Sequence, residues 1–377
     1  MHRAIASEPW PGGASLEMAS VWARQDGWAS SYMLDRISVD GITPSLAARS
    51  RVQGNAHRLH ANRERSFIGS FVNGMGFVLS PDEAKAMRAS DPRNADVVRP
   101  YLNGEDLNSR PDCSPSRWVI DFRGWPIERA REYAEPFARV DELVRPIRAQ
   151  VNREAHRLRW WQFGDVRPGL YRAIEPLERV IAIALVSKTV MPVLVPNGLV
   201  YSHALGVFAY DDDAHFGLLS SGFHRWWAIA RASTLETRVR YTPTDCFETF
   251  PQPEVLPDAV AEAGRALNSH RTALMHGRGE GLTKTYNRAH DPAERSDDIG
   301  RLRELHVALD HAVAVAYGWP DLDPLTPGAR QEILDRLLEL NHERYADEVR
   351  QGLHAKPKPR KGRAAPAGAM TLRFDGA

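Results

Sequence analysis

Residues 180–210 have the sequence VIAIALVSKTVMPVLVPNGLVYSHALGVFAY, and this stretch decides the fold class. It holds three short apolar runs, at 180–186, 191–195 and 205–210, each bounded by proline, glycine or aspartate. Short runs rich in β-branched residues predict strands. Three aspartates at 211–213 then begin a helix that the apolar pattern carries to residue 230. We therefore predict an α+β fold with a mixed sheet.

The region upstream continues the mixture of strands and helices. A glycine-rich pair of strands is expected at 67–72 and 76–79. A helix is expected to start after Ser80, because Ser80 can cap it, Pro81 suits its first turn and Glu83 completes a capping box. Asp91-Pro92 ends that helix. Further helices are predicted over 126–133 and 137–161, the second bent or restarted at Pro146.

Composition divides the chain into five segments. Residues 1–48 carry strands at 16–22 and 32–34, too little sheet to fold alone, and indicate the end of a larger sheet. Residues 49–65 hold seven arginines and histidines and predict a basic linker, and 66–255 form the α+β domain. Periodicity of 3.6 residues in 259–275, 299–317 and 329–349 predicts a C-terminal helical domain over 256–352. Residues 353–377 predict a disordered basic tail.

Charge and cysteine content exclude several classes of protein. The 377 residues contain 49 Lys plus Arg against 48 Asp plus Glu, so no global basic field attracts a polyanion. Two cysteines cannot form a disulfide framework or a four-cysteine zinc site. No apolar run approaches the ~20 residues that span a bilayer. We expect a soluble cytoplasmic protein without membrane contact.

The sequence lacks the common catalytic motifs. The chain has no dinucleotide-binding glycine motif, phosphate loop, nucleophile elbow or His-Glu-x-x-His zinc motif. It has no Pro-Pro pair, so the loop with which methyltransferases hold a flipped base is missing. Asp82 and Asp112 resemble nuclease acids, but helix capping explains the first, and the second is a weak match. His203, His215 and His224 are too scattered to indicate zinc. We predict no catalytic residue and no metal ligand.

Arginine interleaved with tryptophan is the first positive signal. Arg153 and Arg157 lie one helical turn apart, just before Trp160-Trp161. Guanidinium groups bind phosphates through paired hydrogen bonds, so this helix face could follow a nucleic-acid backbone. The alternative is a solvated helix face, with Asp141 or Glu154 pairing some of the charge.

The second signal is an alternating stretch at 235–241. As one strand, it would place Glu236, Arg238 and Arg240 on the same face. Arginine can read guanine O6 and N7, and glutamate can accept from cytosine N4, so these side chains suit a major-groove reader. A cross-strand ladder of ion pairs on a solvated face would give the same pattern.

At these residues the chain resembles a known family. STLETRVRYTP (233–243) and FETFP (247–251) resemble the close of the target-recognition domain in MmeI-like adenine-specific DNA methyltransferases and fused restriction-modification enzymes. YLNGEDLN (101–108), SRWVI (116–120), RAI (172–174) and SKT (187–189) match in the same order. The resemblance extends from about residue 10 to residue 349.

The resemblance implies roles for segments and residues. Residues 1–48 would be the last strands of a methyltransferase domain, 66–255 the recognition domain and 256–352 its helical companion. Base contacts would come from Glu236, Arg238 and Arg240. Contacts to the DNA backbone are expected from the remaining candidates, which are Arg110, Arg117, Lys188 and Arg225 together with Arg153 and Arg157.

One departure from the family limits what the chain is expected to do. The cofactor and catalytic motifs of the family lie upstream of everything present here, so S-adenosylmethionine is expected on a missing catalytic part and no cofactor on this chain. The implied function is a DNA sequence-specificity module for N6-adenine methylation, acting in phage defence with double-stranded DNA and a separately encoded catalytic subunit. The chain could equally be a gene remnant.

Two other functions stay open on the sequence alone. One is an active site-specific methyltransferase or fused endonuclease whose motifs are not visible. The other is a structural or interaction protein without DNA contact, which the near-neutral net charge favours.

Overall fold

The N-terminal segment folds into a small four-stranded sheet. The computed structural model describes residues 1–10, 17–43, 46, 48–235, 238–326 and 328–354. Strands β1 (Arg3–Pro9), β2 (Glu17–Trp22), β3 (Tyr32–Leu34) and β4 (Ile37–Val39) lie in the order β2-β1-β3-β4. The sequence prediction missed β1, because its residues RAIASEP contain one large apolar side chain and end in proline. The sheet is therefore larger than expected.

The described part of the next unit carries eleven short strands in three sheets. They are β5 (Ser66–Ile68), β6 (Val78–Leu79), β7 (Val98–Leu102), β8 (Arg117–Ile120), β9 (Arg179–Ala184), β10 (Val186–Ser187), β11 (Val193–Pro196), β12 (Val200–Tyr201), β13 (Leu205–Phe208), β14 (Ser233–Leu235) and β15 (Arg238–Arg240). The sheet orders are β11-β9-β13-β5, β12-β7-β8-β6 and β10-β15-β14. The three predicted runs at 180–210 supply β9, β10, β11 and β13, and the fold is α+β as expected.

The predicted strand pair at 67–72 and 76–79 is wrong. β5 pairs with β13, whereas β6 pairs with β8 in a different sheet. The chain leaves the first sheet at Gly69, where a β-carbon would come within 2.2 Å of the Ser202 carbonyl oxygen. Glycine is therefore required for a close backbone crossing here, a role that composition alone does not distinguish from a hairpin turn.

Ten helices pack around these sheets in the described part of the unit. They are α1 (Pro81–Ser90), α2 (Gly104–Ser109), α3 (Ile127–Arg131), α4 (Ala134–Leu143), α5 (Arg145–Ala149), α6 (Glu154–Leu158), α7 (Pro168–Ile174), α8 (Asp213–Ser220), α9 (Gly222–Arg231) and α10 (Pro243–Cys246). The capping box at the start of α1 is confirmed, since the Glu83 amide donates to Ser80 Oγ at 3.2 Å and the Ser80 amide donates to the Glu83 carboxylate at 2.7 Å.

Two long predicted helices are broken. The restart predicted at Pro146 is confirmed, because Pro146 lies in the first turn of α5 and cannot continue the hydrogen bonding of α4. The rest of the helix expected at 137–161 is broken once more, since α6 starts separately at Glu154. The helix expected from residue 211 to residue 230 is two helices, because Ser221 ends α8 and caps α9 by accepting from the His224 amide. Serine favours such a cap over a helix interior.

Four helices form the C-terminal unit. α11 (Asp258–Arg278), α13 (Asp297–Ala316) and α14 (Ala329–Arg350) confirm the three predicted helices, whereas α12 (Leu282–His290) was missed because it buries only a few side chains. Leu218, Phe223 and Trp227 from α8 and α9 share one apolar core with these helices. The recognition and helical units are thus packed directly together.

Residues 49–65 are not a loose linker. We name them the strap, because they lie along α14. The Arg51 guanidinium lies within 3.2 Å of the Glu339 carboxylate, and the amide of His57 donates to the Asn341 side chain at 2.8 Å. Leu59 is buried, and the Asn62 side chain donates to the Phe250 carbonyl at 2.8 Å. Polar contacts hold the strap, so its low apolar content was a poor guide to its packing.

The predicted basic tail lies almost wholly outside the described residues, which end at residue 354. Within the described ranges, every helix is too short or too polar to cross a membrane. Those same ranges contain no group of three or more histidine, cysteine or acidic side chains arranged to hold a metal ion.

Candidate nucleic-acid interface

The predicted strand at 235–241 is in fact two strands. β14 ends at Leu235 and β15 begins at Arg238, and the two pair antiparallel with Leu235 opposite Arg238 and Ser233 opposite Arg240. The prediction of one continuous strand is wrong, because alternation over seven residues does not distinguish a strand from a tight hairpin. Glu236 and the side chain of Arg238 lie outside what the structure describes.

Arg240 lies at the edge of a small cleft. β15 pairs with β10 on its other side, so that Arg240 is opposite Val186. The Arg240 side chain is exposed. Together with Gly104, Val186, His203 and Ala204, it lines a cavity of about 320 Å³, which we name the interface cleft. An exposed guanidinium on a paired strand is available to a ligand without rearrangement of the backbone.

A buried histidine anchors the end of β15. Tyr241 directly follows Arg240, and its hydroxyl lies 3.0 Å from His224 Nε2. The other ring nitrogen lies 2.8 Å from the Leu219 carbonyl oxygen, which can only accept, so Nδ1 carries the proton and Nε2 accepts from Tyr241. Burial lowers the pKa of His224 to about 4. His224 is thus a neutral anchor of the hairpin, not a metal ligand.

The neutral His224 predicts a pH effect on stability. Between pH 6.5 and pH 4 the unfolded chain binds a proton at this residue that the folded chain does not, so the free energy of unfolding falls as the pH falls through this window. His224→Gln removes this contribution, and we expect a shallower loss of stability in urea unfolding over that range.

A matched histidine controls for the substitution. His276→Gln changes an exposed histidine on α11 and should keep the slope of the original protein. Burial raises the pKa of Asp310 to about 7, which contributes a slope of opposite sign, but this group is common to all three proteins. An unchanged slope in His224→Gln would show that His224 is already protonated in the fold.

Three of the predicted backbone contacts lie on elements around the interface cleft. Lys188 follows β10 and is exposed, and the neighbouring Ser187 hydroxyl donates to Asn108 Oδ1 at 3.3 Å, which joins β10 to α2. Arg110 follows α2 and donates to Ser114 Oγ at 3.0 Å. Arg117 is exposed at the start of β8, opposite Tyr101 of β7.

A series of contacts leads from the interface cleft to α6. The Phe71 ring meets the His203 ring edge-on at 4.9 Å, and the Phe71 backbone pairs with that of Asp165. The next residue back, Gly164, has its carbonyl 3.2 Å from His156 Nε2 on α6. Arg153 lies just before α6, and the Arg157 guanidinium donates to the Val151 and Asn152 carbonyls. The two arginines are therefore linked to the interface cleft only through this series of contacts, and neither lines it.

Arg225 is not part of that surface. It lies half-buried on α9, where the helix packs on the C-terminal unit, and its Nε is buried without a hydrogen-bond partner among the described residues. Burial lowers the pKa of its guanidinium, which lies near Tyr286 and Asp310. That Arg225 contacts DNA stays a prediction, and the structure places its side chain away from the interface cleft, on a face of α9 that the sequence pattern could not identify as covered.

Two residues at the interface cleft or beside it were not predicted as part of the site. His203 lines the cleft but was considered only as a zinc ligand, and Phe71, whose ring packs against His203, was predicted only as a strand residue. The signal available for Gly104 was its place in the motif at 101–108, which the structure brings beside Ala204. Contact between such distant segments depends on the sheet order, which the residue pattern did not predict.

The fold is that of a target-recognition domain, and comparison with known proteins identifies the family. A family model described as MmeI, target recognition domain, matches residues 49–254, more than half of the chain. The chain therefore belongs to that family, and the strap lies inside the matched region. No curated protein sequence matches the chain significantly.

A solved structure extends the similarity in fold. It is the structure of the Type IIL restriction-modification enzyme MmeI in complex with DNA, which matches with a TM-score of 0.62 and 18% sequence identity. The match covers 92% of this chain and 46% of MmeI. The chain thus spans a little under half of the length of that enzyme and shares its fold beyond the recognition domain.

Proposed function

We propose that this chain is the DNA sequence-specificity module of an N6-adenine DNA methyltransferase in a restriction-modification or phage-defence system. The observation that carries the proposal is the exposed Arg240 at the interface cleft, on a strand within the matched family region. The DNA complex of MmeI, which has the same fold, supports duplex DNA as the partner.

The candidate residues fall into two groups, one expected to contact bases and the other expected to contact phosphates. Arg240 stands on a ladder held from both sides by β10 and β14, and Tyr241 is fixed by His224, so the guanidinium starts from a rigid base. A bidentate arginine distinguishes guanine from the other bases in the major groove. Lys188, Arg110 and Arg117 are suited to phosphates, because they are exposed or half-exposed and lie on neighbouring elements.

We propose that methyl transfer is performed by a part that this sequence does not contain, carried by a separate polypeptide that binds S-adenosylmethionine. The match leaves more than half of MmeI without a counterpart here. The N-terminal sheet also exposes Val21, Trp22 and Ile37, and exposed apolar side chains on one sheet are typical of a surface that another chain covers.

Methylation assays test whether methyl transfer needs a separate polypeptide. The chain alone, mixed with DNA and radiolabelled S-adenosylmethionine, should transfer no methyl groups. Addition of a methyltransferase subunit encoded beside it should restore transfer at one sequence. Methylation by the isolated chain would refute the proposal that catalysis lies elsewhere.

Lys188→Ala tests the expected contact between Lys188 and a DNA phosphate. We expect weaker binding to every DNA sequence alike, and a decrease of about 0.9 in the slope of log affinity against log salt, as for the loss of one phosphate contact. Lys284→Ala, which removes an exposed lysine on α12, should leave both quantities unchanged. A loss for Lys188→Ala that is confined to one sequence would make Lys188 a base reader instead.

A further inference from the structure

A second basic surface lies outside the interface cleft. Three adjoining concavities of about 550, 440 and 370 Å³ share lining residues, since Arg99 and Arg123 belong to the first and second and Arg172 to the first and third. We name this surface the arginine groove. Its arginines come from well-separated parts of the chain and are Arg63, Arg65, Arg99, Arg123, Arg129 and Arg172.

These arginines are not neutralised by ion pairs. Among the described residues, no carboxylate lies within ion-pair distance of any of the six. Arg99 donates to the Gly198 carbonyl at 3.0 Å, and the Arg129 guanidinium stacks 3.8 Å from the centre of the Trp125 ring. Such contacts orient a guanidinium and leave its charge uncompensated. By contrast, Arg278 and Arg336 on the helical unit are paired with Asp298 and Asp321.

The acidic side chains of the groove do not cancel this charge. Asp121 lies at its floor, accepts from the Arg123 amide at 2.8 Å, and is buried, which raises the pKa of its carboxyl group. Glu64, Glu175 and Asp96 are the other acids that line it. Even with Asp121 counted as charged, six arginines face four carboxylates, so a net charge of +1 for the whole chain conceals a locally positive surface.

The arginine groove adjoins the surface around the interface cleft. The Phe71 backbone pairs with Asp165, and the next residues, Val166 and Pro168, line the groove. The groove residue Tyr171 has its hydroxyl 3.1 Å from Ser70 Oγ, one residue before Phe71. The same short segment thus lies between the two surfaces.

We propose that the arginine groove binds the sugar-phosphate backbone of duplex DNA that flanks the recognised sequence, without reading its bases. This inference rests on the proposed DNA-binding function. The charge extends over three open concavities and does not converge on one point, which suits a row of phosphates better than a single small anion. It also explains how a chain of nearly neutral total charge holds a polyanion.

Binding to DNA of two lengths tests the groove. The variant Arg123→Ala/Arg172→Ala should decrease the slope of log affinity against log salt by about 2 on a long duplex, because two phosphate contacts are lost. On the shortest duplex that still binds specifically, the variant should match the original protein. Arg123→Lys/Arg172→Lys keeps the charge and should retain the slope on the long duplex.

The test of the arginine groove also needs a control variant that removes the same charge elsewhere. Arg295→Ala/Arg301→Ala removes two exposed arginines from the helical unit and should change neither slope. An unaltered slope for the groove variant on the long duplex overturns the inference, as does equal competition by inorganic phosphate whatever the DNA length. Failure of the original protein to bind any DNA would instead refute the proposed function itself.

Discussion

Arg240→Ala is expected to weaken discrimination at one base pair by about 1–3 kcal/mol, roughly five- to 150-fold in relative affinity, and to leave the remaining positions of the DNA site unchanged. The reason is geometric. Arg240 is exposed at the interface cleft, and its strand is held between β10 and β14, so its loss removes a side chain without loosening the strand. Dissociation constants for the cognate duplex and for each single-base variant measure the effect.

Two further substitutions sharpen this result. Arg240→Lys keeps the charge but loses the paired donors, and it should relax discrimination almost as much as alanine. Arg301→Ala removes an exposed arginine of α13 that is paired with Glu304, and it should have no effect on DNA affinity. If Arg240→Ala lowers affinity equally for all duplexes, Arg240 holds phosphate and does not read bases.

Gly264→Ala is expected to destabilise the protein by about 3 kcal/mol or more, which corresponds to a fall in Tm of at least roughly 4 °C for cooperative unfolding of a chain of this size. A β-carbon on Gly264 would come within 2.4 Å of the Asp213 carbonyl oxygen and 3.0 Å of the Gly217 Cα atom. Both neighbours are backbone atoms, so α8 and α11 would have to separate. Because these two helices join the recognition unit to the helical unit, the shared core between them opens.

The matched control has an effect of opposite sign. Gly277 lies near the end of the same helix α11, and a β-carbon there meets no atom within 4 Å. Gly277→Ala should therefore stabilise the protein by about 0.5–1 kcal/mol, because alanine restricts the unfolded chain and favours the helix. Thermal unfolding of both variants gives the comparison. Equal shifts would mean that the contact between the two helices does not govern stability.

Local signals were the ones that the sequence predicted well. Ser80, Pro81 and Glu83 specify the start of α1 through contacts within four residues, and the structure contains each of them. The long amphipathic helices of the C-terminal unit were predicted equally well from their 3.6-residue periodicity. The hairpin β14–β15 was missed, because the same alternation suits one strand or two, and only the antiparallel pairing of β14 with β15 separates these possibilities.

Surfaces formed by distant segments could not be predicted from the sequence. The interface cleft brings Gly104 and His203 to Arg240, and the arginine groove brings Arg63 to Arg123 and Arg172. Their proximity follows from the order of strands in three sheets, and no spacing rule in the chain encodes that order. Likewise, the half-buried position of Arg225 could not be predicted until the packing of α9 was known.

Selection from a pool of random duplexes tests the central claim, that this chain alone recognises a DNA sequence through Arg240. The original protein should enrich one sequence, and Arg240→Ala should enrich the same sequence with preference lost at one position. Recovery of no preferred sequence by the original protein, or an identical preference in both proteins, would contradict it.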